Sequence, residues 1–232
     1  MNLFIEAVQW ILDPANWTGA GNIGQRILEH ILFSFSVLLA AAVIGIPIGT
    51  LIGHTGRGRA LIIATTSGAR ALPTLGLLTL LGLGLGIGLE APFLALLVLA
   101  LPPVLAGAYA GVESVDRATV GAARAIGLTE RQILTGVELP LAAPVLVGGL
   151  RSAALQVIST ATLAAYISDT GLGRILFLGI KTQQYDRMLA ASILVALLAL
   201  VVELLFQTIQ SAASRRAEPH RAQNPASERI TA

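Results

Sequence analysis

Side chains able to do chemistry are sparse in this 232-residue chain, and their positions exclude most catalytic readings. The three histidines, His30, His54 and His220, stand too far apart to suggest a metal site, and no H-E-x-x-H pattern occurs. Cysteine is absent, which removes disulfides, thiolate metal ligands and thiol nucleophiles together. Ser34 and Ser36 have no base near them in sequence, so no nucleophile stands out. The only lysine, Lys181, follows Ile180 rather than glycine, so the chain has no phosphate loop of the G-K-[ST] type. The chain is expected to be no enzyme and to bind no metal or cofactor of its own. Arg70, Arg151 and Glu203 lie within apolar runs, where a charge is costly and tends to face protein rather than lipid. Mutual pairing or snorkelling is one account of them, and a gate or pathway role is the other.

The elements that must position these residues are membrane helices. Hydrophobic residues make up 55% of the chain and charged residues 12%, against about 25% charged in a soluble domain. A 24 kDa globule cannot hide that much apolar surface in one core, so part of it faces lipid. Five apolar segments stand out, at 31–53, 60–81, 92–112, 144–167 and 188–209. Each has the ~20 residues that a helix needs to cross a bilayer. Continuous apolarity, without alternation, argues against a β-barrel. Pro47, Pro73, Pro102 and Pro103 fall inside these spans, as ordinary packing features or as bends lining a solute path. The glycine run at 82–88 reads as a tight turn between the second and third spans, since no strand-to-helix context supports a nucleotide loop.

Basic residues set the orientation. Arg57 and Arg59, then Arg117, Arg124 and Arg131, then Arg215, Arg216, Arg221 and Arg229 fall on one side of a five-span chain. Arg26, Arg174, Lys181 and Arg187 fall on the other. The N-terminus is therefore expected outside and the C-terminus in the cytosol of a multi-pass cell-membrane protein. Scattered basic residues give no nucleic-acid surface. Residues 1–27 form an outer segment, with 3–12 lying on the membrane surface. Glu6 and Asp13, in place of a basic region, argue against a signal peptide. Residues 28–210 form the membrane domain, and 211–232 read as a disordered cytoplasmic tail.

The long polar interval 112–144 is patterned. Asp116 can cap a short helix ending near Gly127, whose position suits a left-handed terminator. Thr129 with Gln132 makes a capping box for a second helix, striped by Ile133, Leu134 and Val137. Pro140 is expected to stop that helix and Pro144 to open the next span. Ala118, Gly121, Ala122, Ala123 and Ala125 keep the first helix slim, which suits insertion into a partner's groove.

Gly121-Ala122-Ala123, three residues, Gly127, nine residues and Val137-Glu138-Leu139-Pro140 resembles the EAA motif of binding-protein-dependent ABC importer permeases. Gly121 stands where the motif has Glu, and Val137 where it has Ile, with the spacing intact. Residues 71–78, 149–153, 161–167 and 171–173 are similar to segments of the osmoprotectant subgroup, which imports glycine betaine, carnitine and choline. The likeness covers roughly 28–210. It implies an all-α integral membrane fold, the type I ABC importer permease (MetI-like), with about five transmembrane helices and a cytoplasmic coupling helix. It also implies Gly121, Ala122, Ala123, Arg124, Gly127, Leu128, Val137, Leu139 and Pro140 as the interface to a separate ATPase subunit carrying ATP and Mg. A second permease copy or homologue and an extracytoplasmic solute-binding protein complete the expected assembly; Asp169 with Gly171 and Gly173 is expected to form an outer turn, as a plain connection or, alternatively, as a contact for the docked binding protein. Pro73, Tyr109, Arg151 and Tyr166 are the candidates for the translocation pathway, the tyrosines because quaternary ammonium groups favour aromatic faces, with anchoring in the membrane-interface belt as the other reading of both tyrosines. The alternatives are an ABC permease for another small solute, such as methionine, and a secondary transporter.

Overall fold

Asn22 begins the first long helix by accepting a hydrogen bond from the backbone N–H of Gln25 at 2.8 Å, and Gly56 ends it in the left-handed region at φ +69°. The computed structural model describes residues 2–217, the side chains of Leu61, Ile63, Thr65, Ala69 and Arg70 excepted. Regular structure among the described residues is entirely helical. In chain order it comprises α1 (Leu3–Leu12), α2 (Ile23–Thr55), α3 (Arg59–Ala71), α4 (Thr74–Leu85), α5 (Glu90–Glu113), α6 (Arg117–Ala125), α7 (Glu130–Ile133), α8 (Leu139–Thr160), α9 (Gly173–Thr182) and α10 (Tyr185–Ala217). Short 3₁₀ turns cover Pro14–Trp17 and Ala161–Tyr166, and a π turn covers Leu134–Glu138.

The centre is a three-helix packing of α2, α5 and α8. Phe33, Val37 and Ala41 from α2, Leu96, Leu99, Ala100 and Val104 from α5, and Ala153 and Val157 from α8 form its buried core. Glycines allow the backbones to approach. Gly45, Gly49 and Gly53 recur every four residues on α2, and a Cβ at Gly49 would stand 2.7 Å from both Ala108 Cβ and Leu105 O on α5. On the other face of α5, a Cβ at Gly107 would lie 2.6 Å from the Cα of Gly149 on α8. Small residues at helix crossings are how membrane helices gain packing when burial from water supplies no drive. Outside this centre, α10 packs along α8, and Trp10 and Ile11 of α1 join Ile23, Leu172 and Leu194 in a smaller apolar cluster. Leu32, Phe35 and Leu39 of α2 and Leu197, Leu200 and Leu204 of α10 remain exposed, an outward apolar surface suited to lipid.

Four helical stretches among the described residues are long and apolar enough to cross a membrane: Ile23–Thr55, Glu90–Glu113, Glu130–Tyr166 and Tyr185–Ala217. The expected second span, 60–81, is built from two shorter helices, α3 and α4, broken at Leu72 and Pro73; Gly45 faces Val104 and Gly53 faces Val112, so α2 and α5 run parallel and α3 with α4 must bring the chain back across between them. Proline has no N–H to continue the ladder, and its ring disfavours helical backbone in the residue before it. Of the glycine run, Gly82 and Gly84 lie within α4, and the turn is made by its second half, with Gly86 at φ +86° and Gly88 at φ +158° before α5. Residues 211–217, expected to be disordered, are helical. Helix α10 continues through 211–217, and 218–232 lie outside the described residues.

Candidate functional site

The loop between α5 and α8 is built as a helix–turn–helix with its own small core. Asp116 accepts from Ala118 N at 3.0 Å and so starts α6. Val120 and Ala123 of α6 turn inward against Val112, Val115, Ile133 and Ala142, with Leu128 and Val137 at the edge. Gly127 takes φ +88°, the left-handed conformation that lets the chain reverse. The capping box at Thr129 and Gln132 is formed in both directions.

Pro140 does not stop the second helix. Leu139 N–H bonds to Leu134 O, five residues back, and the helix passes through the π turn into α8. The π turn shifts the pairing by one residue, so the N–H that Pro140 lacks falls at the start of a new α register, where its absence is tolerated. Pro144 therefore sits inside α8 rather than opening it, and its carbonyl accepts from Gln210 Nε2 at 3.1 Å.

Of the nine residues expected at the coupling interface, Gly121, Ala122, Arg124, Gly127 and Pro140 are exposed. Leu128, Val137 and Leu139 are half-buried, and Ala123 faces the loop's own core. Ile126, not singled out from sequence, is 80% exposed at the tip of the turn. Arg124 donates to Glu130 through Nε at 2.7 Å and Nη2 at 2.8 Å. Glu130 holds the Arg124 guanidinium above its already high range, through the hydrogen bond first and charge attraction second. His54, from the end of α2, lies against this loop. Its Nε2 is 3.2 Å from Glu130 Oε2, and its Nδ1 is hydrogen-bonded to Glu138 Oε2. Glu138 is 0% exposed. Sequence reading passed over His54 and Glu138, because they are 84 residues apart and Glu138 occupies a variable position of the motif.

The four pathway candidates are dispersed. Arg151 is bound to Glu203 through both Nε and Nη2 and reaches Gln210 Oε1 at 3.3 Å, so this charge is paired between α8 and α10. Tyr166 packs on Phe177 with ring centroids 5.8 Å apart. Tyr109 is half-buried on α5, and Pro73 is exposed at the α3–α4 break. None of the four lines the cleft of about 510 Å³ between α3, α5 and α8, whose walls include Thr66, Pro102, Pro103, Gly107, Ser152 and Gln156. At the opposite end of the bundle, Asp169 makes the expected turn, with Gly171 at φ +72°. Arg26 Nη2 lies 3.2 Å and Arg174 Nε 2.8 Å from Asp169 Oδ1, and the Gly171 N–H donates to Glu29. Among the described residues, no group of histidine and carboxylate side chains could hold a metal ion.

Residues 45–218 match the family of binding-protein-dependent transport system inner membrane components. The chain belongs to that family. This permease is 32% identical over 182 residues to the carnitine transport permease protein OpuCB of Listeria monocytogenes, covering 78% of this chain and 84% of that one. It is 34% identical over 187 residues to the choline transport system permease protein OpuBD of Bacillus subtilis, covering 80% and 83%. To the osmoprotectant import permease protein OsmY of Salmonella typhimurium it is 32% identical over 200 residues, covering 85% and 82%. Its fold matches a chain of the inward-facing MetNI methionine ABC transporter with a TM-score of 0.71, at 22% identity, over 82% of this chain and 95% of that chain. The fold is thus that of a type I ABC importer permease, and the permease is an inner-membrane transport subunit rather than an enzyme.

Proposed function

We propose that this permease carries quaternary-ammonium compatible solutes, namely glycine betaine, choline and carnitine, inward across the cell membrane. The observation that carries the reading is the run of relatives named for these solutes, which align over about four-fifths of the chain. The cleft between α3, α5 and α8 is compatible with it. Its lining is small, apolar or weakly polar, so a trimethylammonium group would pass without a strong hydrogen-bonding trap. Such a path leaves selection to the solute-binding protein.

The α5–α8 loop is the dock for the ATPase subunit, to which the ATP and Mg are assigned. Exposed Gly121, Ala122 and Ile126 give it a slim apolar face, and Arg124 and Gly127 border that face. Closure of the ATPase pair would draw two such loops together and switch the bundle from inward-open to outward-open. The cleft is one half of a pathway completed by a second copy or a homologue. The N-terminus is outside and the C-terminus in the cytosol, in keeping with the nine-to-four distribution of basic residues.

The test is uptake of labelled glycine betaine, choline, carnitine and methionine by cells whose own importers are deleted. These cells express this permease with its ATPase and binding protein. Accumulation of at least one of the first three, abolished when the ATPase loses its phosphate-loop lysine, is the expected result. Uptake of methionine alone would overturn the substrate assignment. Uptake that persists without the ATPase would overturn the import mechanism.

A further inference from the structure

His54 stands one residue beyond Gly53, the last glycine of the close α2–α5 contact, and reaches the loop through both ring nitrogens. One nitrogen meets Glu138, at the root of the loop where the π turn hands over to α8. The other meets Glu130, the first residue of α7, which is itself gripped by Arg124 of α6. A single side chain of α2 thus touches the base of the loop and, through Glu130, its outer helix.

Three features make this more than surface pairing. Glu138 is completely buried, and its second oxygen, Oε1, has no hydrogen-bond partner among the described residues. Among the described residues His54 is thus the hydrogen-bond partner of a buried carboxylate, and an apolar pair of similar volume would replace the two at little cost to stability. What such a pair would lack is direction: the carboxylate fixes where the loop sits relative to α2. The π turn Leu134–Glu138 ends on this residue, and π turns within α-helices fall frequently at functional positions. The end of α2 that carries His54 is also the end locked to α5, where a Cβ at Gly53 would stand 2.8 Å from Val112 Cβ.

We infer that His54 is a positioning residue that clasps the coupling loop to α2, so that displacement of the loop is delivered to the α2–α5 pair. The inference rests on the reading of this loop as the ATPase dock. Without the clasp the loop would still be joined to the bundle through α5 and α8, but α2 would no longer be obliged to move with it.

The test uses the assembled complex of permease, ATPase subunit and binding protein in proteoliposomes. The chain has no cysteine, so spin labels on cysteines introduced at Arg57 and Arg131 report the distance between the end of α2 and the loop. In the unmutated background the expected distance is the same in the nucleotide-free and ATP-trapped states. H54A alone leaves a stranded buried carboxylate and can fail to fold, so the deciding variant is H54L/E138L, which removes both partners. The expected result is a broadened distance distribution that shifts on ATP trapping. Uptake of an equimolar mixture of labelled glycine betaine, choline and carnitine per ATP hydrolysed should fall about threefold or more. An H54L/E138L complex with the parental distances in both states would overturn the inference. Failure of the docking reading is seen separately: A122R would still co-purify the ATPase subunit in normal amount.

Discussion

Replacing Gly49 by alanine tests whether the α2–α5 contact is as close as the packing requires. The added Cβ would stand 2.7 Å from Ala108 Cβ, 2.7 Å from Leu105 O and 3.2 Å from Tyr109 N. Non-bonded carbons prefer about 3.5–4.0 Å, so the helices must part locally by about 1 Å. Two of the three obstructing atoms are backbone and the third is a β-carbon, so no rotamer change relieves them. Overpacking of this kind costs about 1–3 kcal/mol. At roughly 2–4 °C per kcal/mol for a chain of this length, the melting midpoint should fall by several degrees. Gly68, on α3, provides the control, since a Cβ there meets nothing within 4 Å. Alanine at that position should stabilise the helix by about 0.5–1 kcal/mol relative to glycine. The assay is the fraction of detergent-solubilised permease that stays monodisperse after heating. If G49A melts no lower than G68A, the claim that α2 and α5 are locked at this point fails.

The paired charge between α8 and α10 should behave asymmetrically: R151M strands Glu203 and should lower stability by about 1–3 kcal/mol, whereas R151M/E203L should recover most of the loss in the same heating assay. I126E places a charge on the exposed tip of the loop and removes an apolar anchor worth about 1.5–3 kcal/mol when buried. Its affinity for the ATPase subunit, read by surface-immobilised titration, should fall at least tenfold while the melting midpoint is unchanged. T129A deletes the hydroxyl of the capping box and should cost about 1 kcal/mol locally. Hydrogen exchange should then quicken in residues 129–133, with α2 and α5 unaffected.

Much of the loop was legible because its signals are local. Asp116, Gly127, Thr129 and Gln132 act on backbone groups within three residues of themselves, and each does in the structure what its type and spacing imply. Its outward face was less legible. Ala123 shares its spacing with Ala122, but the small core formed with Val112 and Ile133 decides which of the two faces out. Pro140 was misjudged because the π turn before it is a tertiary accommodation with no composition of its own. Breakage of the second span at Pro73 was signalled by the proline, yet Pro47, Pro102 and Pro103 are carried inside helices that continue. Whether a proline ends a helix depends on packing that sequence does not display. The His54–Glu138 contact and the cleft between α3, α5 and α8 join residues far apart in the chain, so no window of sequence contains them.

The unbroken passage from Glu130 through the π turn into α8 has a mechanical corollary. If the stretch behaves as a stiff rod resting on the Gly107–Gly149 crossing, its two arms differ in length. At 1.5 Å per residue the arm from Glu130 to Gly149 is about 29 Å and that from Gly149 to Thr160 about 17 Å. A push on the loop arm then swings the far arm the opposite way by about six-tenths as much. One lever, with its fulcrum set by two glycines, would narrow one mouth of the passage as it widens the other.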